Sequence, residues 1–173
     1  MRRMWAALAA AAITGTTLTG CSVNVSAGAP VVAKADLQKD ISDRMEKGGQ
    51  KPQSVTCKDD LKGEVGKNVT CEVTISDTNQ IDAIVTVTKV DGSTVSYDTA
   101  PALSKEQLEK SVARLVAGTA SGVAESVTCE SGLEGKKGAE AKCDVTDAEG
   151  TTTKVTATVT EVQGLLMNFD VNG

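Results

Sequence analysis

Two cysteine pairs of identical spacing, set inside two copies of one sequence block, limit what this chain can fold into more than any other feature. Cys57 and Cys71 stand 14 positions apart, and so do Cys129 and Cys143. Laying residue 54 over 126 and continuing without a gap to 98 over 170 gives 16 identities in 45 positions. Ser54-Val55-Thr56-Cys57 recurs as Ser126-Val127-Thr128-Cys129, Leu61 as Leu133, Gly63 and Gly66 as Gly135 and Gly138, and Thr86-Val87-Thr88 as Thr158-Val159-Thr160. Gly92 matches Gly164, Tyr97 matches Phe169, and Asp98 matches Asp170. Such a chain folds as two copies of one unit.

Upstream of each shared block lies a helical pattern. Ala33, Leu37, Ile41 and Met45 recur every four residues among charged and polar neighbours, which predicts a helix ending near Gly48-Gly49. In the second copy Ser104 and Gln107 make a capping box, Leu103 and Leu108 a hydrophobic staple, and Leu108, Val112, Leu115 and Val116 the apolar stripe, with Gly118 at the end. Leu37 and Leu108 differ by one position when counted back from the first cysteine, which a one-residue loop insertion before Val127 explains.

After each helix the period changes to two. Val69, Cys71, Val73 and Ile75 alternate with polar residues, as do Ala83, Val85 and Val87, then Val95 and Tyr97. Turns are predicted at Asp77 to Gln80, Asp147 to Gly150, Asp91-Gly92 and Gln163-Gly164. With Ser54 to Cys57 as a short first strand, each unit reads as one helix plus a four-stranded antiparallel meander, an α+β fold with the helix over the apolar face. The expected units are 31–99 and 100–173, with Thr99 to Pro101 too short to allow wide independent motion.

The N-terminus reads as an export signal at 1–20. Arg2 and Arg3 precede a mostly apolar run, Met4 to Leu18, which ends in Leu18-Thr19-Gly20-Cys21. Cysteine after Leu-x-Gly has the form of a bacterial lipobox, which makes Cys21 the expected lipidation site and Ser22 to Pro30 a tether. The run is shorter than the roughly 20 residues a membrane span needs. Two or more acyl chains hold a protein stably at a membrane, where one holds it only marginally. Of twin-arginine export features, the chain has only the two arginines.

Cysteine parity agrees. Five is an odd number for an exported protein, and lipid on Cys21 leaves four to pair. Of three connectivities, Cys57–Cys71 with Cys129–Cys143 keeps each bridge inside its own repeat. Units of about 70 residues have marginal cores, and the mature chain has one Tyr, one Phe and no Trp. Closing a 15-residue loop offsets that shortfall by roughly 3 kcal/mol. The spacing lacks the close pair that structural zinc or a redox dithiol uses, and the chain has no His.

Without His there is no Ser-His or Cys-His dyad and no imidazole base. Asp59-Asp60 is the nearest approach to a carboxylate pair, and Asp98 and Asp170 are repeat equivalents that suit turns at strand ends. The glycines at 63, 66, 135 and 138 suit turns in the cystine loops, since no P-loop Lys-Ser/Thr accompanies them. Tyr97 and Phe169 read as the largest core residue of each unit before they read as a ligand platform. Without Arg2 and Arg3 the chain has 16 basic against 23 acidic residues, a balance of −7 by side-chain count. That balance, with no basic patch or aromatic platform, excludes nucleic acid as the expected partner.

The succession Val-Thr-Cys, Leu, Gly, Cys, Val-Thr-Val-Thr, Asp/Gln-Gly and aromatic-Asp, following a lipobox, resembles actinobacterial, often mycobacterial, lipoproteins with the domain of unknown function 4333. The resemblance spans nearly all of 31–171, once per repeat, and departs from the pattern at Gln163, where Asp would precede Gly164. It implies no established activity or catalytic residues, and no cofactor is expected. At the level of architecture, tandem helix-plus-meander units with one disulfide each are also similar to the β-lactamase inhibitor protein. The expectation is a non-enzymatic lipoprotein on the extracytoplasmic face of the cell membrane, held by lipid on Cys21 and binding an envelope protein or wall component. The alternatives are a carrier of a small apolar or lipid ligand, or an inhibitor-like binder of an exported enzyme.

Overall fold

The computed structural model describes residues 29–118 and 124–173. The expected signal at 1–20, Cys21 and most of the tether lie outside the described residues. The first repeat contains β1 (Val31–Val32), α1 (Lys34–Lys47), β2 (Ser54–Cys57), β3 (Leu61–Lys62), β4 (Asn68–Ser76), β5 (Asn79–Asp91) and β6 (Thr94–Leu103). The second contains α2 (Lys105–Ala117), β7 (Ala124–Cys129), β8 (Leu133–Glu134), β9 (Glu140–Asp147), β10 (Thr152–Gln163) and β11 (Leu166–Asn172). Neither helix is long and apolar enough to cross a membrane.

The periodicities place the core. Leu37, Ile41 and Met45 of α1 and Leu108 and Val112 of α2 are buried. They meet the alternating strand residues Val69, Cys71, Val73, Val85 and Val87, and their counterparts Ala141, Cys143, Val145, Ala157 and Val159. Among the described residues no polar or charged residue is buried as a whole, though the Thr99 hydroxyl is. Each fully buried Leu or Ile contributes about 1.5–3 kcal/mol, so the two stripes hold helix to sheet.

Both bridges lie within their own repeats. Cys57 faces Cys71 across β2 and β4, and Cys129 faces Cys143 across β7 and β9, with Cα atoms 3.8 and 3.9 Å apart. Just before Val127 the pairing of β7 with β9 carries a β-bulge: Ala124 pairs Asp147 and Ser126 pairs Thr146, leaving Glu125 unpaired.

The expected four-stranded meander needs correction. The cystine loops, read as turns because of their glycines, each contain a further two-residue strand, β3 or β8, anchored by buried Leu61 or Leu133. The first sheet therefore has five strands, in the order β2-β4-β5-β6-β8, and the second has four, β11-β10-β9-β7. A separate ribbon pairs β1 with β3.

That ribbon explains how the repeats are joined. Val31 and Val32 pair Lys62 and Leu61, and Ala102 and Leu103 pair Glu134 and Leu133 in the same way. The end of β6 thus does for the second repeat what β1 does for the first. The boundary expected at residues 99 and 100 falls inside this one strand. In both ribbons a glycine donates its N–H to a proline carbonyl, Gly63 to Pro30 at 2.6 Å and Gly135 to Pro101 at 2.8 Å.

The second repeat also touches the first on both sides of the β6 sheet. Gln107 Nε2 of α2 donates to Asp82 on the outward side at 3.4 Å, and Arg114 Nη1 donates to the Thr78 carbonyl. On the helix side, Leu165 in the β10–β11 turn is 8% exposed and lines a cleft with Arg44, Met45 and Thr99. Its counterpart Ser93 is exposed.

Candidate functional site

Because the fold is duplicated, each repeat serves as a control for the other. Both helices are tied to their bridge by equivalent side chains: Gln38 accepts from the Cys57 N–H at 3.2 Å, and Glu109 from the Cys129 N–H at 2.9 Å. Beyond that shared anchor the two helix–sheet junctions differ.

In the first repeat a polar clasp closes the junction. Tyr97 Oη on β6 donates to Asp40 Oδ2 on α1 at 2.9 Å, and Arg44 holds the same oxygen at 2.8 Å. The Arg44 guanidinium also lies 5.6 Å from the Tyr97 ring centre. Partial burial and the hydrogen bond to Asp40 raise the phenol above its ordinary pKa, while Arg44 pulls it back. Native Tyr97 therefore keeps its proton where the unfolded chain loses it. The stability this contributes is intact below about pH 10 and is lost as pH rises through the native pKa. Since Tyr97 is the one tyrosine, tyrosinate absorbance during alkaline titration should show a midpoint above that of the denatured chain. Asp40→Asn should bring it down, and coincident native and denatured midpoints would rule the clasp out.

In the second repeat every member of the clasp is replaced. Ser111 stands for Asp40, Leu115 for Arg44 and Phe169 for Tyr97. The core beside it is also cut back: Val116 stands for buried Met45, and exposed Thr153 for buried Ile81. Half-buried Asp147 replaces half-buried Ile75. The result is an open groove of about 480 Å³ between the C-terminal half of α2 and strands β9, β10 and β11. Leu115, Val116, Val145, Val155, Phe169 and Val171 form its apolar walls, and Asp147, Thr151 and Thr153 its polar side. Leu115, 47% exposed, stands at its mouth.

The carboxylates singled out in the sequence fall apart in space. Asp60 Oδ1 accepts from the Lys34 N–H at 2.8 Å, capping α1 from the cystine loop because Ala33 offers no side-chain cap. Ser104 caps α2 itself, with Gln107 completing the capping box, and position 132 is accordingly Gly. Asp98 and Asp170 are exposed on β6 and β11, paired with Thr86 and Thr158 in different sheets. Tyr97 and Phe169 are half-buried and are not the centres of their cores; those centres are fully buried Leu37, Ile41, Leu61, Leu108 and Leu133. Of the four loop glycines, Gly66 and Gly138 make turns at positive φ, whereas Gly63 and Gly135 allow the close approach of proline. Among the described residues no cluster of His, Cys, Asp or Glu is placed to hold a metal.

The identities between the repeats do not reveal the groove. Its signal lies in the mismatches: reading 45, 75 and 81 against 116, 147 and 153 shows apolar bulk leaving one corner of the second repeat, while Leu115 in place of Arg44 adds an apolar side chain at its edge. The joint also had a signal, in Ala29-Pro30 and Ala100-Pro101 at the same offset as the helices.

Residues 16–92 and 94–164 each match the family described as Domain of unknown function (DUF4333). No curated protein and no solved structure matches the chain. Those two stretches take in both helices, both cystine bridges and most of both sheets, and the chain belongs to the DUF4333 family, of which it carries two tandem copies.

Proposed function

We propose that this chain is an exported, non-enzymatic binding protein held on the extracytoplasmic face of the cell membrane by lipid on Cys21. Leu18-Thr19-Gly20-Cys21 supports the anchor. The tether, Ser22 to Pro30, would keep the folded body within about 30 Å of the bilayer. The observation that carries the binding reading is the asymmetry of the duplication: one repeat closes its helix–sheet junction with a polar clasp, and among the described residues the other leaves a groove with apolar walls and a polar side. An envelope protein or wall component suits an anchored, stapled body. A carrier of a small apolar or lipid ligand is the second reading, and the size of the groove favours it.

The anchor is tested by feeding cells an alkyne fatty acid and fractionating them. The parent chain should take the label and sediment with membranes, and Cys21→Ala should lose both. Label retained by Cys21→Ala overturns the anchor. Photo-crosslinking from position 115 in cells should capture a reproducible envelope partner or lipid species, and none across replicates would overturn the binding reading.

A further inference from the structure

Several core pairs are kept as matched apolar residues between the repeats, among them Leu37 and Leu108, Ile41 and Val112, Val73 and Val145, and Val87 and Val159. Val69 to Ala141 and Val85 to Ala157 trim the core elsewhere, whereas two further losses of apolar bulk, Met45 to Val116 and Ile81 to Thr153, border one space with Leu115 and Asp147 at its edge. Native interiors leave few voids larger than a water molecule. A mostly apolar opening of about 480 Å³ instead falls in the range of small-molecule sites, roughly 300–1,000 Å³ with a few fixed polar groups.

The charge around the groove narrows the class of occupant. Among the described lining residues the ionisable side chains are Asp147 and Asp170, with no Lys or Arg. Strand alternation sends Asp170 outward beside inward-facing Phe169 and Val171, which leaves Asp147 on the groove side in line with buried Val145. The β9–β10 turn holds Asp147 in place: its Oδ1 accepts from the N–H groups of Glu149 at 3.0 Å and Thr151 at 2.8 Å. A fixed carboxylate beside apolar walls repels a fatty-acid anion and suits an ammonium or a hydroxyl.

From these observations we infer that the groove of the second repeat holds one small apolar ligand whose polar end is neutral or cationic. The inference rests on the ligand-carrying reading above and gives it a site and a chemistry.

The test uses the full chain with Cys21→Ser and the neutral fluorophore 1-aminoanthracene as probe. Val116→Met with Thr153→Ile refills the groove with the first repeat's own side chains. The refilled protein should lose at least about tenfold in probe affinity while unfolding at the same or higher denaturant. Below their micelle concentrations, decylammonium should displace the probe at least about tenfold better than decanoate. Asp147→Asn, which keeps the acceptor for the turn, should remove that preference. Equal probe affinity in the parent and refilled chains overturns the site, and equal displacement by decanoate overturns the ligand chemistry. The anchor stands or falls separately on the fatty-acid label of a chain with Cys21 intact. If the parent binds no probe but refilling abolishes crosslinks from position 115, the groove seats a protein side chain and the small-ligand inference is overturned.

Discussion

Replacing Cys57, Cys71, Cys129 and Cys143 together with Ser is expected to leave the chain without a cooperative fold at about 37 °C. Each bridge closes a loop with a separation of 14 residues. In the chain-entropy account such a loop stabilises by about 3 kcal/mol. Two of them are a large part of the 5–15 kcal/mol typical of a domain. The cores have little to set against that loss, since neither aromatic of the described residues is fully buried. Removing one bridge, with Cys129→Ser and Cys143→Ser, should lower the guanidinium midpoint while keeping a single transition, because β6 belongs to both repeats. Far-UV circular dichroism with and without reductant measures this, and an unchanged midpoint in the Cys129→Ser, Cys143→Ser variant would refute the role given to the bridges.

Gly135→Ala should destabilise the chain by about 3 kcal/mol, combining overpacking with the loss of a hydrogen bond. A Cβ on Gly135 would overlap the Pro101 carbonyl oxygen and ring, and the obstacle is backbone that cannot swing aside. The Gly135 N–H to Pro101 bond at 2.8 Å would be lost with it. Gly63→Ala meets Pro30 in the same way and should behave alike. Gly118→Ala is the control: its φ of −82° is ordinary, and a Cβ there would sit 3.4 Å from the Leu115 carbonyl. It should be neutral or stabilise by a few tenths to about 1 kcal/mol. Equal loss in Gly118→Ala and Gly135→Ala would show that the effect is general to glycine replacement and not specific to the proline contact.

Much of each unit was legible because the relevant information is local. Leu37, Ile41 and Met45 announce a buried helix face by their spacing alone, and Val69, Cys71 and Val73 a buried strand face, since periodicity reports which side of an element avoids water. The capping box at Ser104 and Gln107 and the extra residue before Val127 could be read for the same reason. Less legible were β3 and β8, too short to show a period. The sequence makes Asp59-Asp60 no more than the nearest approach to a carboxylate pair, whereas the role of Asp60 is set by α1, 26 residues away in sequence.

The duplication, the pairing of Cys57 with Cys71 and of Cys129 with Cys143, and the apolar face of every long element follow from the order of residues, because each depends on spacing along a single segment. How the copies join, and where one of them stays open, was decided in three dimensions. Pro101 lies beside Gly135 only once β6 has crossed into the second repeat. The groove is volume that Val116, Thr153 and Phe169 fail to fill, and empty space exists only between residues that folding has brought together.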